Sequence, residues 1–170
     1  MDGAADTSEF EEAFPSLFLA AYHVTYRLLG NVTEAEDAAA EAVARALVSW
    51  RRVGRLAYRE AWVARVATNL AIDELRRLRR RRAQAWTEDD VTSDASEDAT
   101  LRLSVRRALA GLSARQRQVI ALRYLADLDD AQVARVLGIS VNSVKKHAAR
   151  GRVALRDLLG PNPEVSLALE

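Results

Sequence analysis

The residues best suited to chemistry in this chain are amides and cations gathered along one stretch. Val141, Asn142, Lys145 and Lys146 recur at separations that place side chains on one face of a helix, with Ser143, His147, Arg150 and Arg152 beside them. Asn can pair bidentately with adenine and Lys can reach guanine, while hydroxyl, imidazole and guanidinium groups suit phosphates. The residues before them supply a frame. Ala134 is small where two helices would cross closely, and Gly138, four residues on, can take the positive φ of a turn. Val133, Leu137, Ile139 and Val144 are apolar where both helices would face a core. This is the spacing of a helix-turn-helix, whose second helix offers its first turns to base edges in the major groove.

Other chemistry finds little support. With no cysteine, disulfides, thiolate metal sites and cysteine nucleophiles are excluded. His23 and His147 lie far apart without metal-ligand spacing, and Asp37 and Glu41 share a helix face without a third ligand nearby. No enzymatic activity, cofactor, metal or small-molecule substrate is expected.

The elements around the motif are set out by charge. The 170 residues carry a formal net charge of +1, but this is a cancellation. Residues 1–41 hold nine acidic groups against one basic; residues 42–82 hold twelve basic against three acidic. Residues 83–100 contain six carboxylates and no cation, and residues 101–158 return to twelve basic against four acidic. Cationic and acidic blocks therefore alternate. Arg outnumbers Lys by 23 to two, a bias that fits GC-rich coding and is no argument for nucleic-acid binding by itself. No apolar run approaches the ~18 residues of a membrane span, and the acidic start lacks the order of a signal peptide. A soluble, cytoplasmic protein is expected, with no membrane partner.

Seven glycines, three prolines and apolar residues recurring at three and four predict an all-α fold with no strand. Capping boxes at Ser8-x-x-Glu11 and Thr33-x-x-Glu36 open two helices, and a third runs from Tyr58 to about Arg82. Pro15 is expected to bend the first helix or delay its start. Residues 8–82 read as a three-helix domain and residues 83–100 as a flexible acidic linker. Residues 101–160 read as a four-helix domain containing the helix-turn-helix, capped at Ser113, Asp129 and Ser140, and residues 161–170 as a disordered tail. A flexible linker of this length spans roughly 25 Å on average and about 60 Å when extended. The domains could then sit on separate surfaces of a large partner, with Trp86 as a possible anchor between them.

Three segments resemble one family. Residues 34–47, Glu-Ala-Glu-Asp-Ala-Ala-Ala-Glu-Ala-Val-Ala-Arg-Ala-Leu, are similar to the core-polymerase-binding segment of the extracytoplasmic-function sigma factors, group IV of the sigma-70 family. Residues 61–77, from Ala61-Trp62-Val63 to Leu75-Arg76-Arg77, resemble the family's promoter-melting helix. Residues 112–155, with Arg115-Gln116-Arg117, Leu122-Arg123-Tyr124 and Ile139-Ser140-Val141-Asn142-Ser143-Val144-Lys145, resemble its distal-element module. The resemblance implies a bacterial initiation subunit with a region 2-like and a region 4-like domain. It would bind the β′ and β subunits of core RNA polymerase through Asp37, Glu41 and Arg45. It would read and melt the -10 element with Arg55, Tyr58, Trp62, Asn69, Asp73, Arg76 and Arg77, and read the -35 element with Val141, Asn142, Ser143, Lys145, Lys146, His147 and Arg150. An anti-sigma protein is a further partner that the resemblance brings in.

The residues make physical sense in those roles. Aromatic rings and amides beside many guanidiniums suit an unstacked strand, whose bases stack on flat groups while Arg holds phosphates. The chain also departs from the family. Ala40, Val43 and Leu47 stand where Gln, Phe and Trp are usual, Ser143 replaces Thr, and Lys146-His147 replaces a commoner Ser-Arg. The competing reading is an operator-binding regulator that works without polymerase. It leaves the first module, with Trp62, Asn69, Asp73 and the arginine run, unexplained.

Overall fold

The computed structural model describes residues 2–84 and 97–160. All the regular structure among them is helical: α1 (Asp2–Leu29), α2 (Val32–Val48), α3 (Trp50–Val53), α4 (Arg59–Gln84), α5 (Glu97–Gly111), α6 (Ala114–Ile120), α7 (Asp130–Leu137) and α8 (Val141–Leu159), with a π-helical turn at Ala121–Leu125. No helix among the described residues is long and apolar enough to cross a membrane.

The long helices α1, α2 and α4 form the first bundle. Leu17, Val24 and Leu28 of α1, Val43 of α2 and Val63 of α4 lose essentially all contact with water, and burying each such side chain contributes about 1.5–3 kcal/mol. Helix α2 approaches α1 through small residues, with Ala35, Ala39, Ala42 and Ala46 fully buried. The Thr25 hydroxyl donates to the Ala35 carbonyl at 2.9 Å and ties the two together inside the core.

Two helix starts differ from expectation. Helix α1 begins before Ser8 and runs through Pro15. The carbonyl four residues back, on Glu11, loses its helical donor, but both residues face water, where the loss is tolerated. Helix α2 is capped by Asn31, whose side chain accepts from the Glu34 backbone N–H at 3.0 Å, two residues ahead of the expected Thr33 box. Asn is the stronger N-cap residue. Helix also claims residues 83–84 and 97–100 from the ends of the expected linker. Trp86, the carboxylates between those helices and the expected tail lie outside the described residues.

The second bundle follows its caps closely. Ser113 with Gln116, and Asp129 with Gln132, each close a reciprocal capping box, and Ser140 accepts from the Ser143 backbone N–H. Gly138 ends α7 at φ 65°, the left-handed conformation the turn requires. At the α6–α8 crossing a Cβ on Gly151 would lie 2.8 Å from Ile120 Cγ1, so glycine is what permits the approach.

The two bundles pack against one another. Ala61 and Ala64 of α4 share a core with Val119, Leu122, Val133, Val136 and Val144. Leu109, Leu112, Ile120 and Leu155 join the core of α1, α2 and α4.

Candidate nucleic-acid interface

Helix α8 presents the expected face. Val133 and Val144 are completely buried, and Ala134 is buried at the crossing of α7 and α8. This register turns Val141, Asn142, Lys145, Lys146 and Arg150 outward to water. No ion pair holds Lys145, Lys146 or Arg150 among the described residues. Ser143 is half-buried, its hydroxyl 2.9 Å from that of Ser140 and partly engaged in the cap. His147 is half-buried on the flank. The result is a cationic strip around an amide, carried by a helix fixed at its start.

Helix α4 gathers a second group. Trp62 is half-buried and lines a cleft with Glu41, Ala44, Arg45, Val48, Ser49, Val66 and Asn69. The Arg65 guanidinium lies 6.0 Å from the Trp62 ring centroid. Arg55 is exposed on the loop before α4. Further along the helix, Arg76 pairs with Asp73 at 3.4 Å and Arg77 with Glu74 at 2.7 Å. Hydrogen bonding to Glu74, followed by its charge, raises the pKa of the Arg77 guanidinium. Both cations stay on the surface.

Two members of this group are engaged by the second bundle. Asn69 accepts a hydrogen bond from Gln118 of α6 at 3.0 Å. Tyr58 lies under the Arg135 guanidinium of α7 at 5.6 Å.

Along α2, Asp37, Glu41 and Arg45 are exposed on successive turns, with Glu41 accepting from Arg45 at 2.8 Å. Ala40 and Leu47 are also exposed, whereas Val43 is buried. The departures at 40 and 47 therefore alter the surface of α2, and only the one at 43 alters its core.

Sequence reasoning passed over Arg117. This guanidinium is buried and donates to the carbonyls of Leu109, Ala110 and Leu112, satisfying the end of α5. Burial, and then the charge of Arg76, lowers its pKa. It fixes the corner that sets α6 rather than meeting a ligand.

Family models for Sigma-70 region 2 and Sigma-70, region 4 match residues 18–81 and 102–155. The chain is 33% identical over 156 residues to the ECF RNA polymerase sigma factor SigW of Bacillus subtilis, covering 81% of this chain and 82% of that protein. The chain belongs to the ECF sigma factors. The sigma factor is also 37% identical over 136 residues to SigL of Mycobacterium tuberculosis, covering 76% of this chain and 77% of that one. Its fold is similar to that of the sigma factor RpoE solved with the anti-sigma factor NepR from Bartonella quintana, with a TM-score of 0.55 at 22% identity over 88% of this chain and 94% of that one. The region 2 match spans the cleft around Trp62, and the region 4 match spans the strip on α8.

Proposed function

We propose that this sigma factor docks on core RNA polymerase through the α2 face of Asp37, Glu41 and Arg45 and directs initiation by reading two promoter elements. Lys145, Lys146 and Arg150, with Asn142 and Val141 between them, read the -35 duplex, while Ser143 and His147 support the approach to phosphates. Trp62, with Arg55, Tyr58, Asn69, Asp73, Arg76 and Arg77, takes the opened -10 strand. Docking involves the β′ and β subunits, and an anti-sigma protein competes for the same surfaces.

The observation that carries this reading is the unpaired cationic strip of α8 on a helix-turn-helix that its caps hold in register. Ion-pair-free Lys and Arg groups release counterions when they meet phosphates, which drives association with DNA. The test is transcription in vitro with purified core polymerase on fragments of the source genome. Promoter-dependent starts that need this chain are expected, and their absence from every fragment would overturn the proposal. Footprinting separates the regulator reading: a sigma factor protects promoter DNA well only with core polymerase, whereas an operator-binding protein protects it alone.

A further inference from the structure

We propose that Val141 is a specificity-determining residue of the α8 strip: its isopropyl group seats the 5-methyl group of a thymine in the -35 duplex and so fixes an A·T pair at one position. The inference deepens the two-element reading above and rests on it.

The fold gives Val141 no apolar partner. It is 40% exposed, while Val144, Ala148 and Leu155 of the same helix are buried. Among the described residues it joins neither hydrophobic core, even as a partly buried neighbour. Helix formation does not ask for it either, because a β-branched side chain has a lower helix propensity than Ala, Leu or Lys. The start of α8 is held by Ser140, whose hydroxyl accepts from the Ser143 backbone N–H at 3.1 Å. The cap therefore needs nothing from the side chain that follows it.

The surroundings of Val141 decide what can cover it. Asn142, Lys145 and Lys146 are exposed beside it, and the Ser140 and Ser143 hydroxyls lie 2.9 Å apart, engaged with each other. Val141 and Lys145 stand one turn apart on the helix, as do Asn142 and Lys146. The first turns thus offer one apolar knob among an amide and two ammonium groups. A wholly apolar partner would strip water from those three polar groups and return no hydrogen bond. The major groove supplies acceptors for them and one apolar feature, since thymine alone among the four bases presents a methyl group there. A valine set against any other base edge would desolvate donors or acceptors without pairing them. Asn suits adenine and Lys suits guanine, so the knob adds a base that its polar neighbours do not select. Stiffness sharpens the contact. Branching at Cβ restricts χ1, which holds the two methyls in place before DNA arrives and limits the side-chain entropy lost on binding.

The test uses holoenzyme assembled from the full chain and core polymerase, on a promoter duplex found by the transcription assay above. Each thymine of the -35 element, on either strand, is replaced in turn by deoxyuridine, which keeps the base pair and removes only the methyl group. At one position the exchange is expected to weaken binding about three- to five-fold, the worth of one buried methyl group. Val141→Ala should weaken binding to the thymine duplex by at least that factor and lose most of its response to the exchange at that position. Ala favours a helix more than Val does, so α8 persists in the variant, and circular dichroism matching that of the parent shows it. Lys145→Ala should bind both duplexes more weakly while keeping the methyl response. A parent with no methyl-sensitive thymine would overturn the proposal, and so would a response that survives intact in Val141→Ala. Loss of the response in Lys145→Ala as well would also overturn it, because the methyl would then report the seating of the whole helix. Transcription reads the underlying assignment separately: a parent chain that never supports initiation refutes the two-element reading and this proposal with it, whereas one that initiates normally without a methyl response refutes only the role of Val141.

Discussion

Gln118 donates its side-chain amide to Asn69 at 3.0 Å, joining the helix after the second bundle's first corner to the middle of α4 in the first bundle. A neutral hydrogen bond of this kind has a net worth of about 0.5–1.5 kcal/mol. A double-mutant cycle of Asn69→Ala and Gln118→Ala, read by denaturant unfolding, should therefore show a coupling energy of that order. Strictly additive single variants would mean that the two amides do not meet in solution.

The strip on α8 gives a prediction about salt. Lys145 is exposed and has no ion-pair partner among the described residues, so a phosphate contact would release counterions without first breaking a bond in the protein. Lys145→Ala should weaken promoter binding by the holoenzyme and reduce the slope of log affinity against log salt by about one unit. Weaker binding with the slope intact would assign Lys145 to a base edge instead.

Gly138 and Gly151 should fail for different reasons. Gly138 has φ 65° and nothing within 4 Å of a built Cβ, so Gly138→Ala suffers only backbone strain, about 1–2 kcal/mol. Gly151→Ala drives its methyl into Ile120 and should cost about 1–3 kcal/mol through overpacking. Truncating Ile120 to Ala should then be markedly less than additive with Gly151→Ala and additive with Gly138→Ala. Denaturant midpoints of the single and double variants check both.

What the sequence revealed and what it hid follow from the range of the interactions. The helix-turn-helix was legible because its signals are local: Asp129, Gly138 and Ser140 act within one turn of themselves, and Val133 and Val144 repeat at helical spacing. The outward direction of Asn142, Lys145 and Lys146 followed from that register. The start of α2 was misplaced because Asn31 and Thr33 are both good caps two residues apart, and only the geometry chooses between them. The packing of one bundle on the other left no trace in the pattern. Its apolar part includes Ala61 and Ala64, which look like filler on any helix, and its polar part uses Arg27, Gln118, Asp127 and Arg135, residue types usually left to solvent. For Tyr58 and Asn69, the residue types suited a nucleic-acid site; their engagement by the second bundle could be seen only in three dimensions.

Arg117 provides the last prediction, because its role depends on the shape of the guanidinium and not only on its charge. Nε donates to the Leu109 carbonyl at 2.7 Å, and Nη2 reaches those of Ala110 and Leu112. A lysine carries the same charge on a single nitrogen and cannot reproduce this fork. Arg117→Lys should cost about 1–3 kcal/mol, the penalty for leaving a buried acceptor unpaired, and Arg117→Met should cost more, because it leaves all three carbonyls without this donor. Burial lowers the pKa of this guanidinium, so the unfolded chain binds the proton more tightly and stability linked to this group rises with pH. That rise is confined to the strongly alkaline range, since only there does a guanidinium begin to release its proton. The contribution of this group to the parent's stability should therefore be the same in unfolding curves taken between about pH 6 and pH 8. A lysine variant as stable as the parent would show that the α5–α6 corner holds without the fork.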